Sequence, residues 1–190
     1  MQQASNWQNW SGSIPPAKAR LARPDDIDDL KKLLINATGP VRPVGSGHSS
    51  PHLVPHDHLI SQPDQFNHIG AIDTDKKRAW LGAGARLHDL SPQLADHGYA
   101  FRNLGDIDVQ TLAGSTSTGT HGTGQSLQAL HGEITGMRLV TGTGETLEIS
   151  AQQNTDWLDG ARVALGALGV ITEMEVQLVE RHKLHRRMWA

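Results

Sequence analysis

Two stretches of the chain concentrate the residue types that can hold an anion. The run VGSGHSS, Val44 to Ser50, puts two glycines, three serines and a histidine into seven residues. The run GSTSTGTHGTG, Gly114 to Gly124, has four glycines, six serine or threonine hydroxyls and one histidine in eleven. Glycines let successive backbone N–H groups converge on one negative group as a nest, and hydroxyls add donors without formal charge. Two such loops, far apart in sequence but alike in chemistry, could clamp a diphosphate from both sides. Neither contains the lysine that phosphate loops usually carry. Neutral donors suit a ligand that stays bound and is not hydrolysed.

The familiar nucleotide patterns fail on spacing. Walker A needs Gly-Lys followed by Ser or Thr, and no such tripeptide occurs. The Rossmann fingerprint needs a third glycine three residues after the second. Gly45-Ser-Gly47 is followed by His48, Ser49 and Ser50, and Gly82-Ala-Gly84 by Ala85, Arg86 and Leu87, so both fail. The histidines at 48, 52, 56 and 58 invite a metal reading. Pro51 and Pro55 break any helix that would align the four-residue steps, so no metal is expected and positions 52, 56 and 58 read as solvated loop residues. Asp106 and Asp108 are paired acids of the kind acid–base chemistry uses, but they read more simply as a solvated turn.

The elements that must position these loops are short. Pro24, Asp25 and Asp26 open a helix on which Ile27, Leu30, Leu33 and Leu34 recur at helical spacing, with Gly39 as a stop. Extended chain at Val41–Val44 feeds the first loop, and Leu59–Ser61 reads as another short strand. Ile69–Ile72 and Arg78–Leu81 flank a hairpin turn, as do Met137–Val140 and Thr146–Ile149. A second helix over Leu87–His97 puts Leu87, Leu90 and Leu94 on one face. The run from Leu112 to Gly124 reads as loop throughout. Asn154 or Thr155 is expected to cap a third helix reaching about Leu165. Val170, Thr172, Met174, Val176 and Leu178 alternate with Ile171, Glu173, Glu175 and Gln177, the clearest strand in the chain. Many strands and few helices point to α+β.

Residues 1–16 read as an N-terminal arm and 17–180 as the body, divided into lobes of about 17–75 and about 76–180. Residues 181–190 read as a tail or the start of a further, substrate-binding domain. A net charge of −3 and a pI near 6.4 argue against nucleic-acid binding, which calls for a basic face. The absence of cysteine excludes disulfides, thiolate metal sites and cysteine nucleophiles. No apolar run approaches a membrane span and no basic-then-apolar leader is visible, so a cytoplasmic protein is expected. The five tryptophans show no regular spacing and default to packing roles.

Taken in order, NWSG near the start, PVGSGHSS, LAGSTSTGTHGTG and LGALGVITEMEVQL resemble the FAD-binding domain of the vanillyl-alcohol oxidase family, also called the PCMH type. Within it the likeness is strongest to alditol oxidase and to aldonolactone oxidases such as gulonolactone oxidase, and it covers about residues 9–180.

The resemblance implies two α+β lobes with FAD between them. It implies cofactor contacts from Val44, Gly45, Ser46, Gly47, His48, Ser49 and Ser50. In the second loop it points to Gly114, Ser115, Thr118, Gly119, Thr120, His121 and Gly122, with Gly169, Val170 and Ile171 along the dinucleotide. It makes His48 the candidate for a covalent bond to the flavin's 8α carbon, since a neutral imidazole is a good nucleophile near pH 7. The implied reaction is oxidation of an alcohol group on a polyol or sugar lactone by hydride transfer to flavin N5, with oxygen as acceptor. Members of the family carry a second domain that supplies most substrate contacts, so no catalytic residue is assigned here and a substrate-domain partner is expected. The alternative is a stand-alone flavin-binding module without turnover of its own.

Overall fold

In the computed structural model, which describes residues 3–4 (backbone only), 7–16, 18–49, 52–54, 58–185 and 187–188, the strands form two sheets. The smaller begins with β1 (Gln3–Ala4), which pairs antiparallel with β2 (Arg20–Ala22). Helix α1 (Ile27–Ile35) follows. The side chain of Asp26 accepts the N–H of Asp29 at 2.8 Å, satisfying one of the donors that a helix start leaves open. Strands β3 (Val41–Pro43) and β4 (Leu59–Ser61) complete a sheet of order β1-β2-β4-β3, with β2, β4 and β3 parallel.

The larger sheet takes β5 (Ile69–Asp73) and β6 (Arg78–Gly82), then α2 (Leu87–Asp96) and β7 (Tyr99–Phe101). After α3 (Leu112–Ser117) come the hairpin β8 (Ile134–Val140) and β9 (Thr146–Ser150), the short α4 (Leu158–Ala161) and β10 (Val170–Glu180). The alternation read from Val170 to Leu178 is real: the even-numbered residues are buried and the odd-numbered ones half-exposed. Strand β10 is the spine, with β6 and β7 along one edge and β8 along the other. The hairpin β5–β6 lies wholly in this sheet, so the chain passes between the sheets ahead of Ile69.

The main core lies under the larger sheet, where Leu87, Leu90 and Leu94 of α2 meet Leu81, Met137, Met174 and Val176. Leu30 and Leu34 of α1 pack instead on Val140 and Val170 at the ends of β8 and β10. Helix α1 therefore seals the smaller sheet against the larger one, beside the entry to the first glycine loop.

Two expectations are corrected, and two elements carry no signal in the sequence. The run from Leu112 is not all loop, because Thr111 caps a helix there, accepting the N–H of Gly114 at 3.2 Å. The third helix does not run to Leu165. A 3₁₀ turn at Thr155–Trp157 leads into one turn of α4, and Asn154 is left-handed at φ 52°. Asn154 caps nothing, because its side-chain amide donates to the carbonyl of Glu148 at 2.7 Å. Trp157, Val163 and Leu165 are exposed, so the segment has no apolar stripe to hold a longer helix against the core. Finally, Tyr99–Phe101 and the 3₁₀ turn at Leu130–Glu133 carry no periodic signal and went unread.

Candidate functional site

The two glycine runs meet. A side-chain carbon built on Gly45 would overlap Oγ1 of Thr111, and one on Gly114 would stand 2.8 Å from the same oxygen and 3.9 Å from the Cα of Gly45. Glycine at both positions is what lets backbones 69 residues apart in sequence come together around a buried threonine. Ser46 adds a tie, its hydroxyl donating to the carbonyl of Val109 at 2.6 Å.

This junction floors a half-open cleft with an enclosed volume of about 150 Å³. It is lined by Val44, Gly45, Ser46, Gly47, His48 and Ser49, by Gly114 and Thr118, and by a lip of Leu165, Gly166, Gly169, Val170 and Ile171. The backbone N–H groups of Gly45, Ser46, Gly47, His48 and Ser49 find no acceptor among the described residues. Five neighbouring unpaired donors are the composition of an anion nest. Gly47 sits at φ +71°, where a side chain would be strained, and its carbonyl accepts the N–H of Trp10 at 2.9 Å. The Trp10 ring then stacks on His48, centroids 4.7 Å apart at 23°. The arm thus belongs to the site, and His48 keeps its place in the cleft lining beside Trp7.

Other predicted residues lie elsewhere. Ser115 is fully buried and donates to the carbonyl of Leu112 at 2.8 Å. Thr116 likewise bonds the Leu112 carbonyl, and Thr118, although it does line the cleft, turns its hydroxyl back to the Gly114 carbonyl. Serine and threonine in a helix commonly make such bonds, so much of the hydroxyl supply read as ligand donors is spent inside α3. Gly119, Thr120, His121 and Gly122 are not in the cleft wall. Thr120 bonds the Gln110 side chain at 3.2 Å, and exposed His121 donates Nδ1–H to the Gly122 carbonyl at 2.9 Å. Gly122 is pressed against Leu104 and Asn103. Ser50 lies outside the described residues, as does His56. Among the described residues no group of three or more His, Asp or Glu side chains could hold a metal ion. Asp106 and Asp108 are exposed.

Several lining residues were missed. Gly84 was tested only against the Rossmann spacing, yet it lines the cleft, its backbone held so close to the Pro63 carbonyl that a side chain would collide. Asp64 lies beside it. Burial lifts its carboxyl above the ordinary range, against the pull of Gln62 and of Arg23 at 3.9 Å. Arg42, on β3 two residues before the loop, lines the cleft too. Its Nε is buried without a partner.

The donor set fits the diphosphate of a dinucleotide: a cradle that only glycine leaves open, five successive N–H groups without a partner among the described residues, and an arginine. Residues 18–150 match the family described as FAD binding domain. This chain belongs to that family. Its type is that of the vanillyl-alcohol oxidases, and its cofactor is FAD.

The L-gulono-1,4-lactone dehydrogenase of Mycobacterium tuberculosis is 37% identical over 183 residues, covering 95% of this chain and 42% of that protein. The L-gulonolactone oxidase of Bos taurus is 33% identical over 181 residues, covering 94% of this chain and 41% of the relative. The cholesterol oxidase of B. sterolicum superposes with a TM-score of 0.82 at 20% identity, over 95% of this chain and 37% of its own. That likeness shows a shared α+β fold. The chain spans about two fifths of the curated relatives' length. Among the described residues no helix is long and apolar enough to cross a membrane.

Proposed function

We propose that this chain is the cofactor-binding part of an FAD-dependent oxidoreductase that oxidises an alcohol group of a sugar lactone or polyol, with oxygen as acceptor. The substrate contacts would come from a domain outside the 190 residues. The observation that carries the reading is the meeting of the two glycine runs at Thr111, with five backbone donors left free beside it. The relatives named for gulonolactone support the substrate class.

In this reading Gly45 to Ser49 hold the diphosphate by backbone N–H, and Gly114 keeps the cleft clear. Gly169 to Ile171 lie along the dinucleotide. When bound, FAD supplies a two-electron acceptor that takes hydride from the substrate carbon at N5. His48, in the cleft lining, would be the residue to bond through a ring nitrogen to the flavin's 8α carbon. Such a bond would replace one C–H of that methyl group and the imidazole N–H, and the two electrons and two protons released would pass to dioxygen, giving peroxide. Trp10, stacked on the ring, fixes which face of the imidazole is open.

A spectrum of the purified chain before and after acid precipitation tests this. The expected result is a yellow protein whose flavin fluorescence stays with the denatured chain. A colourless chain that takes up no added FAD overturns the reading. Colour that washes out in acid overturns the His48 bond alone. Lactone- or polyol-dependent peroxide production by a longer protein carrying this chain tests the substrate class, and its absence there would leave a flavin-binding module without turnover.

A further inference from the structure

Neither glycine run contains a lysine or arginine, yet a diphosphate carries about two negative charges. The fold supplies a cation from another place. Of the residues lining the cleft, Arg42 is the one arginine or lysine. It precedes the first loop on β3, and its guanidinium reaches across to the lip, where Nη1 donates to the Leu165 carbonyl at 3.4 Å. That bond is long for N–H···O. Among the described residues Nε is buried with no hydrogen-bond partner, and no carboxylate stands within ion-pair distance. A guanidinium stays charged at any pH a protein meets. The side chain as a whole is only half-buried, so its charge stays available to an anion in the cleft, while the one enclosed donor without an acceptor costs free energy as it stands.

The lip it touches is also unusual. Leu165, Gly166 and Gly169 all have positive φ, at 52°, 79° and 141°, and Leu165 is not a residue that adopts this conformation readily. A side chain at Gly166 would press on Pro43, the neighbour of Arg42. Strand β3 and the lip thus hold one another at close range, with the arginine between them.

We propose that Arg42 is the cationic contact to the cofactor's diphosphate, doing from β3 what a phosphate loop's lysine does from within the loop. The inference rests on the FAD reading above. The terminal guanidinium nitrogens donate to a diphosphate oxygen, and the long bond to Leu165 holds the side chain on station at the cleft edge. The backbone nest then supplies geometry and Arg42 supplies charge.

The test is equilibrium binding by titration calorimetry on the full chain carrying His48→Ala, so that no covalent bond hides the equilibrium. The probes are FAD, ADP, riboflavin and adenosine, and melting temperatures are taken alongside. Arg42→Gln is expected to weaken FAD and ADP by roughly 10- to 100-fold, the range of a lost charged hydrogen bond. Riboflavin and adenosine, which lack phosphate, should bind as before. Salt should weaken FAD binding less steeply in the variant than in its parent. Arg42→Lys should fall between the two, since an ammonium keeps charge but not the planar fork. Undiminished FAD and ADP binding by Arg42→Gln overturns the inference alone and leaves Arg42 a clasp on the lip. Equal loss of all four ligands, with a lowered melting temperature in both variants, also overturns it. A parent chain that binds neither FAD nor ADP overturns the functional reading and this inference together.

Discussion

At the scale of single residues, the site depends on missing side chains as much as on present ones. Gly45 and Gly114 face one buried hydroxyl, that of Thr111. Thr111 cannot retreat, because its Oγ1 is engaged with the N–H of Gly114 at the start of α3. Gly45→Ala is therefore expected to destabilise the chain by about 1–3 kcal/mol, as overpacking does, and to weaken FAD binding by prying the loops apart. Thr111→Ala alone should cost about 1 kcal/mol as a lost helix cap. The two should not add. Removing Oγ1 makes room for the new methyl, so in the Thr111→Ala background Gly45→Ala should cost less by about 1 kcal/mol or more. Urea unfolding of the four proteins checks this, and strict additivity would mean that the loops do not meet at Thr111. The glycines and His48 were legible in sequence because clusters of one residue type stand out. Arg42 was not, because an isolated arginine carries no pattern until the fold brings it to the cleft, and Trp10 was visible only as part of NWSG, with nothing to show that it stacks on His48. The hydroxyls of Ser115, Thr116 and Thr118 were visible, but their bonds to nearby carbonyls were not, since nothing in their spacing tells a ligand donor from one bonded to its own backbone.

At the scale of elements, the sequence was readable where period and boundary agreed. Helix α1 has both an apolar period and an acidic start, and α2 has three leucines that end fully buried. The expected helix after Asn154 had a boundary signal without a period, and the asparagine went to a neighbouring carbonyl instead. Asp26 offers a measurable contrast. Its side chain caps α1, whose Leu30 and Leu34 hold Val140 and Val170. Asp26→Ala should cost about 1 kcal/mol, whereas Asn154→Ala should leave α4 unweakened by any lost cap. Thermal melts of the two variants check the first, and circular dichroism at the helix band checks the second.

At the scale of the molecule, the two faces of the larger sheet do different work. One covers the core; the other carries a charge network that crosses four strands. Glu173 of β10 takes Nη1 of Arg138 on β8 at 2.9 Å and Nε2 of His68, just before β5, at 2.8 Å. Arg138 also holds Glu148 of β9 at 2.9 Å and lies 4.1 Å over the Trp80 ring of β6. Burial pushes the Glu173 carboxyl up, but the bonds from Arg138 and His68 outweigh it and hold the group below its usual value of 4.5. The same bonds, with Glu148 contributing first, push the Arg138 guanidinium up. A carboxyl with a depressed folded pKa binds its proton more readily when unfolded. Its contribution to stability is therefore fully present above the unfolded pKa and lost as pH falls through the folded one. The chain should lose stability from about pH 5 downward, and Glu173→Gln should flatten that decline while lowering stability at neutral pH. Urea midpoints of both proteins measured between about pH 3 and about pH 7 check this. If the two pH profiles run parallel, the network does not couple these strands. Because Ile171 on the same strand lines the cleft, loosening β10 in acid should also release cofactor that is not covalently held, ahead of global unfolding.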